Sequence, residues 1–202
     1  MVKTTSLYVL LTIAAAAAGC EDEKTDPCPQ ITAGGAELAA LVTSASPPVA
    51  SGGPLGSGTY NLTKLELLLA ADIGIDAKVQ CEAIAGDKRR QTVRIEATSP
   101  SAGSVVELAA GDDGNGVRTE IRSRASYVSA GTSLEMTVLG TVCQTSFVPK
   151  VDGGIAEERA ESEPDTMLSR PYSSTETGLA FHAPISFSDK TDCTLVSTYT
   201  KL

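Results

Sequence analysis

Leu179-Ala180-Phe181-His182-Ala183-Pro184-Ile185-Ser186-Phe187, LAFHAPISF, is the stretch on which the fold reading turns. Successive side chains of a β-strand project to opposite faces, so Leu179, Phe181, Ala183, Ile185 and Phe187 share one apolar face. Ala180, His182, Pro184 and Ser186 share the other, which places the chain's only histidine outside. Pro184 cannot donate a ladder hydrogen bond and marks an edge, a bulge or a strand boundary.

The same period runs through other segments. In Thr92 to Thr98 the apolar set is Val93, Ile95 and Ala97, with Arg94 and Glu96 opposite; Leu134, Met136 and Val138 alternate with Glu135 and Thr137. Arg118, Glu120, Arg122 and Arg124 share a face opposite Thr119, Ile121, Ser123 and Ala125, and pairing with Glu96 or Glu107 on neighbouring strands would offset their repulsion. In GTYNLTKLELLL the phase changes. Tyr60 and Leu62 are even, Leu65 and Leu67 odd, and a bulge near Thr63-Lys64 brings both pairs to the core side.

Turn chemistry separates these runs. SAGS (Ser101 to Ser104), GDDGNG (Gly111 to Gly116) and SAGTS (Ser129 to Ser133) lie where hairpin loops belong. Many short alternating strands with Gly-rich turns predict an all-β domain over residues 58–202, an antiparallel up-and-down barrel or, alternatively, a β-sandwich. Within it, the acidic stretch at about 152–171 (IAEERAESEPD) reads as a long exposed loop. Residues 20–57 are polar, then Ala-rich, then Pro/Gly/Ser-rich, and read as a flexible, disordered tether in which Ala36 to Val42 forms at most one or two helical turns.

The start of the chain sets its compartment. Lys3 followed by the apolar run Leu7 to Ala18 and small residues up to Gly19 has the layout of a secretory signal, residues 1–19. The run is too short to span a hydrocarbon core, which needs roughly 20 apolar residues. Ala17-Ala18-Gly19-Cys20 resembles the bacterial lipobox, with Ala17 where Leu is more usual. That resemblance implies cleavage before Cys20, acylation of its thiol and amine, and a lipid anchor; several acyl chains, each contributing roughly 0.8 kcal/mol per buried CH₂, hold stably where one is marginal. Ordinary signal-peptidase cleavage, leaving Cys20 as a thiol, is the alternative. A Glu directly after the acylated cysteine does not match inner-membrane retention, which favours the outer membrane, on its periplasmic face or at the cell surface.

Setting Cys20 aside leaves Cys28, Cys81, Cys143 and Cys193, an even set suited to two disulfides in an oxidising compartment. Three connectivities are open; the expectation is Cys81 with Cys143 and Cys28 with Cys193. The long spacings and the absence of any CxxC argue against zinc. Without Lys3 the chain has fifteen basic and twenty-five acidic side chains, a formal balance of −10, so nucleic acid is not an expected partner. Asp87-Lys88-Arg89-Arg90, the one compact basic run, reads as a solvated turn before a strand.

Gly58-Thr59-Tyr60-Asn61-Leu62-Thr63, then Tyr127-Val128-Ser129-Ala130-Gly131-Thr132-Ser133-Leu134 leading to Cys143, and the closing Thr198-Tyr199-Thr200 resemble an uncharacterised group of Gram-negative lipoproteins with lipocalin-like small barrels. The resemblance covers roughly residues 58–202. It implies a scaffold able to hold a small hydrophobic ligand, and it brings no catalytic residues, metal or cofactor.

No enzyme is expected. A hydrolase triad needs a histidine, and His182 lies on the polar face of a strand. Asp112-Asp113-Gly114-Asn115 lacks the later acidic ligand of an EF-hand and reads as a turn. Two functions stand: a carrier whose barrel encloses a small hydrophobic molecule, and a non-enzymatic structural or protein/glycan interaction module with a filled barrel. The interior separates them, since a continuous apolar cavity above about 300 Å³ belongs to the carrier.

Overall fold

A computed structural model describes residues 28–112, 116–150, 152–162, 167–187 and 190–202. In chain order the strands are β1 (Leu41–Thr43), β2 (Gly58–Leu69), β3 (Arg89–Ser99), β4 (Ala102–Asp112), β5 (Arg118–Ala130), β6 (Ser133–Val138), β7 (Val142–Pro149), β8 (Ile155–Ser162), β9 (Met167–Ser174), β10 (Gly178–Ile185) and β11 (Cys193–Lys201). Among the described residues one helix, α1 (Ile75–Gly86), lies between β2 and β3. Eight strands close into an antiparallel barrel in the order β2, β3, β4, β5, β6, β9, β10, β11 and back to β2. Closure removes the free edges a sandwich would keep, so the barrel alternative holds. The meander is up-and-down, interrupted by one inserted hairpin, β7–β8. This hairpin is accommodated because β5 serves two partners: Ala125–Ala130 pair with β6, and Arg118–Arg122 pair with β7.

The phase change in β2 is resolved by a bulge. Thr198 pairs with Lys64 while Tyr199 pairs with Leu62, leaving Thr63 as the extra residue. Tyr60, Leu62, Leu65, Leu67 and Leu69 are consequently all buried, while Thr63 and Lys64 are exposed. One end of the barrel is packed solid by Leu55, Tyr60, Val93, Ile95, Tyr127, Leu134, Tyr172, Leu179 and their neighbours. Each such aliphatic side chain removed from water contributes roughly 1.5–3 kcal/mol.

α1 partly fills the other end, where Cys81 and Ala85 join Leu67, Leu69 and Cys193. Only those two helical residues, one turn apart, are buried. The helix therefore has no apolar stripe and leaves no amphipathic signal in the sequence.

The tether expected over 20–57 is, from Cys28 onward, a strap bonded to the barrel; residues 20–27 lie outside the described set. Gly34 N–H donates to Thr92 Oγ1 (2.8 Å), and Arg94 Nη1 donates to the Gln30 carbonyl (3.3 Å). The expected helical turn at Ala36 to Val42 is extended instead. β2 and β3 pair only over Gly58–Asn61 and Thr92–Ile95, and the chain fills the gap beyond: Leu38 pairs with Arg89, and β1 lies parallel to Glu66–Leu68. Gly52 then bridges Ser173, accepting from Ser174 N–H and donating to the Tyr172 carbonyl. At φ 65°, with a Cβ position only 2.2 Å from the Gly131 carbonyl oxygen, residue 52 has room for glycine alone. Composition read this segment as a linker because its bonds are made by backbone and small polar groups, which leave no hydrophobic period.

The expected acidic loop at 152–171 is likewise corrected. Residues 155–162 form β8, antiparallel to β7 from Val142↔Ser162 to Pro149↔Ile155, and Met167 begins β9; residues 163–166 lie outside the described set. β8 is exposed on both faces, so backbone pairing alone makes it a strand, and its Glu157, Glu158, Arg159 and Glu161 keep an edge charged.

All four described cysteines are paired, but as Cys28–Cys143 and Cys81–Cys193, with Cα separations of 5.6 and 6.4 Å. The expected pairing fails because α1 carries Cys81 to the start of β11, while the strap begins against the inserted hairpin at Cys143.

Candidate functional site

The strand LAFHAPISF positions the site. β9 pairs with β10 only over Tyr172–Ser174 and Leu179–Phe181, while its first half, Met167–Pro171, pairs with β6 on its other edge and leaves the edge facing β10 unpaired. His182 to Ile185 therefore pair with β11 alone, and a slot opens between β9 and β10. Pro184 lies on this open edge, where a residue without an N–H is tolerated. The strand itself ends at Ile185; Phe187 lies beyond it and packs against the cluster around α1.

The slot borders a half-open pocket of about 380 Å³ lined by Arg89, Gln91, Glu107, Ser169, Arg170, Phe181, His182, Ala183, Pro184, Leu195, Ser197 and Tyr199. Ala183, expected in the core, is exposed in this opening. A chain of polar contacts crosses the interior. The Tyr199 hydroxyl donates to Gln91 Oε1 (2.6 Å), Gln91 Nε2 donates to Glu107 Oε1, and Arg170 Nη1 donates to Glu107 Oε2 (3.1 Å). The Arg170 guanidinium lies over the Phe181 ring at 5.6 Å, and Phe181 meets Tyr199 edge-on at 5.7 Å. Arg89 Nη2 donates to the Ile84 carbonyl at the end of α1 (3.3 Å).

Electrostatics fix the protonation of the cup. The neighbouring Glu107 carboxylate raises the Arg170 pKa above its ordinary value, so the guanidinium stays charged. Burial raises the Tyr199 phenol far above the usual range, which keeps its proton available for donation to Gln91. Desolvation lowers the His182 pKa, favouring the neutral imidazole at neutral pH.

His182 is on the outward face, as its parity requires, but it is buried rather than exposed. Its Nε2 lies 3.3 Å from Ser173 Oγ, and Nδ1 has no partner among the described residues. Ser173 Oγ also accepts from Ser51 N–H. Cys20 lies outside the described residues, as do residues 113–115 of the Asp112–Asn115 turn; Asp112 itself ends β4 opposite Arg118. Among the described residues no group of three or more His, Cys, Asp or Glu side chains could hold a metal ion.

Glu107 does not neutralise the arginine row of β5. Arg118 and Arg122 both bond Glu120, at 2.8 and 3.1 Å, and Glu96 faces Arg94 at 3.4 Å. Glu107 points inward, in the phase of Val105, whereas the arginines point outward. That parity is the signal that identifies the cup. Arg89 and Gln91 share the phase of Val93 and Ile95, and Arg170 shares that of Leu168 and Tyr172. The basic run read as a solvated turn in fact begins β3 and sends Arg89 inside.

No protein-family model, no curated protein and no solved structure matches this chain.

Proposed function

We propose that this chain is an extracytoplasmic lipoprotein, moored through an acylated Cys20 to the outer membrane, whose barrel takes up a small amphipathic molecule through the slot between β9 and β10. The observation that carries the binding reading is the cavity of about 380 Å³ opening there, which falls in the ~300–1,000 Å³ range of small-molecule sites. Its lining changes the ligand expected of an aliphatic barrel. The apolar end is occupied by the protein's own side chains, so an incoming molecule meets Arg170, Glu107 and Gln91 on one side and Phe181 and Leu195 on the other.

Two disulfides fit an oxidising compartment. The strap also suits an anchored protein: Cys28 is fixed to the barrel at Cys143, and eight residues from Cys20 extend at most about 28 Å. A lipid on Cys20 would hold the barrel at Cys143 within about that distance of the membrane surface.

The second reading, an interaction module, draws on the packed end of the barrel. Native mass spectrometry of protein taken from its own membrane separates the two. The binding reading expects an acylated chain carrying two disulfides and a retained small molecule that dissociates on activation. Acylated chain without adduct, together with no binding to any small-molecule probe, would favour the interaction module.

A further inference from the structure

We infer that the molecule taken up by this cup carries one negative charge, a carboxylate on a short apolar chain, received by Arg170 with Arg89 beside it. The inference rests on the binding reading and adds the ligand's chemical class. Three ionised side chains line the cavity, Arg89, Arg170 and Glu107, giving a surplus of one positive charge while His182 is neutral. Glu107 has both oxygens engaged, one by Gln91 and one by Arg170, and is therefore Arg170's fixed counter-ion rather than a receptor for a cation. Arg170 commits one Nη1 donor to Glu107, and a guanidinium has five N–H donors in a planar fork. The guanidinium carbon lies over the Phe181 ring at 5.6 Å, and the N–H donors not committed to Glu107 are the place for a planar carboxylate.

The alternatives fare worse against the same lining. A neutral apolar molecule would strip water from the unused guanidinium donors and from the Ser169 and Ser197 hydroxyls without replacing it. A cation would face two arginines with the only carboxylate already occupied. A carboxylate answers the surplus charge, and its alkyl part finds Phe181, Leu195 and Pro184. The cavity is at the small end of the range for ligand sites, which limits that chain to a few carbons.

The test uses full-length Cys20→Ser protein, secreted and disulfide-bonded, titrated with hexanoate, hexanol and hexylammonium at constant ionic strength. Affinity is followed by amide chemical shifts, with Ser169, Arg170 and His182 as reporters of the cup. Hexanoate is expected to bind at least ten-fold more tightly than either other probe, and Arg170→Gln to lose at least ten-fold for hexanoate, so that its preference over hexanol disappears. If hexanol or hexylammonium shifts those amides with equal or greater affinity, the carboxylate assignment falls and the binding reading stands. If no probe shifts them, both fall. The probe series on the parent chain decides even where Arg170→Gln does not fold, and hexanoate binding undiminished in a folded Arg170→Gln chain would remove Arg170 from the site.

Discussion

Deleting Thr63 tests the premise that a single extra residue lets both halves of β2 face the core. Without it, one half must slip by a position and turn its inward side chains to water. Slippage of the second half would expose Leu65, Leu67 and Leu69, none more than 4% exposed now. The first half holds Tyr60 and Leu62, each 2% exposed, and is the smaller sacrifice. At roughly 1.5–3 kcal/mol for each large side chain returned to water, the deletion costs about 3–6 kcal/mol. It also breaks the 2.7 Å bond from the Tyr60 hydroxyl to the Gly56 carbonyl. Against a typical total of 5–15 kcal/mol, this loss is large. Thr63→Ala is the matched control. It keeps the extra residue and removes only the exposed contacts of Thr63 Oγ1 with the Thr198 carbonyl (3.3 Å) and Thr200 Oγ1 (3.0 Å), a loss below about 1 kcal/mol. Urea unfolding with disulfides intact, followed by far-ultraviolet circular dichroism and tyrosine fluorescence, measures both. A deletion no more destabilising than Thr63→Ala would refute the bulge as the device that sets the phase.

Other outcomes follow from named groups. Cys20→Ser should move the protein from the membrane fraction to the soluble envelope fraction, and unchanged sedimentation with membranes would remove the lipid anchor. Replacing Cys81 and Cys193 by Ser opens a crosslink between residues 112 apart and should lower stability by about 2–5 kcal/mol, read from urea midpoints; a loss under 1 kcal/mol would mean that α1 is held without it. Because desolvation lowers the His182 pKa in the fold, the unfolded chain takes up the proton first, so this contribution is intact above about pH 6.5 and is lost as pH falls toward the folded-state value. His182→Gln should therefore flatten the stability profile as pH falls below about 6.5, and equal slopes in parent and variant would show that burial does not shift this imidazole.

The cup was within reach of sequence analysis. Once Val93, Ile95 and Val105 are assigned inward, parity alone sends Gln91, Arg89 and Glu107 in with them, and the charged residues were overlooked because polar side chains are ordinarily assigned to the solvent face. Their convergence was not legible. Arg170 on β9 reaches Glu107 on β4 from 63 positions away in sequence, and only closure of the barrel brings those two strands to face each other. His182 shows the same limit: its parity put it outward, but whether an outward residue is wet depends on what else lies over it.

By itself the sequence determined alternating strands at β2, β3, β5, β6 and β10, the bulge at Thr63, the turn at Gly131-Thr132 and the use of all four described cysteines in disulfides. Each follows from alternation, turn chemistry or parity within a short window, and those are properties of the local chain. Closure, the exchange of cysteine partners, the strap that fills the gap beside β2, the strand made from an acidic segment and the slot beside β10 were decided only by tertiary structure. Each depends on which backbone edge is still unpaired when distant segments meet, and a residue's own neighbours in sequence carry no record of that.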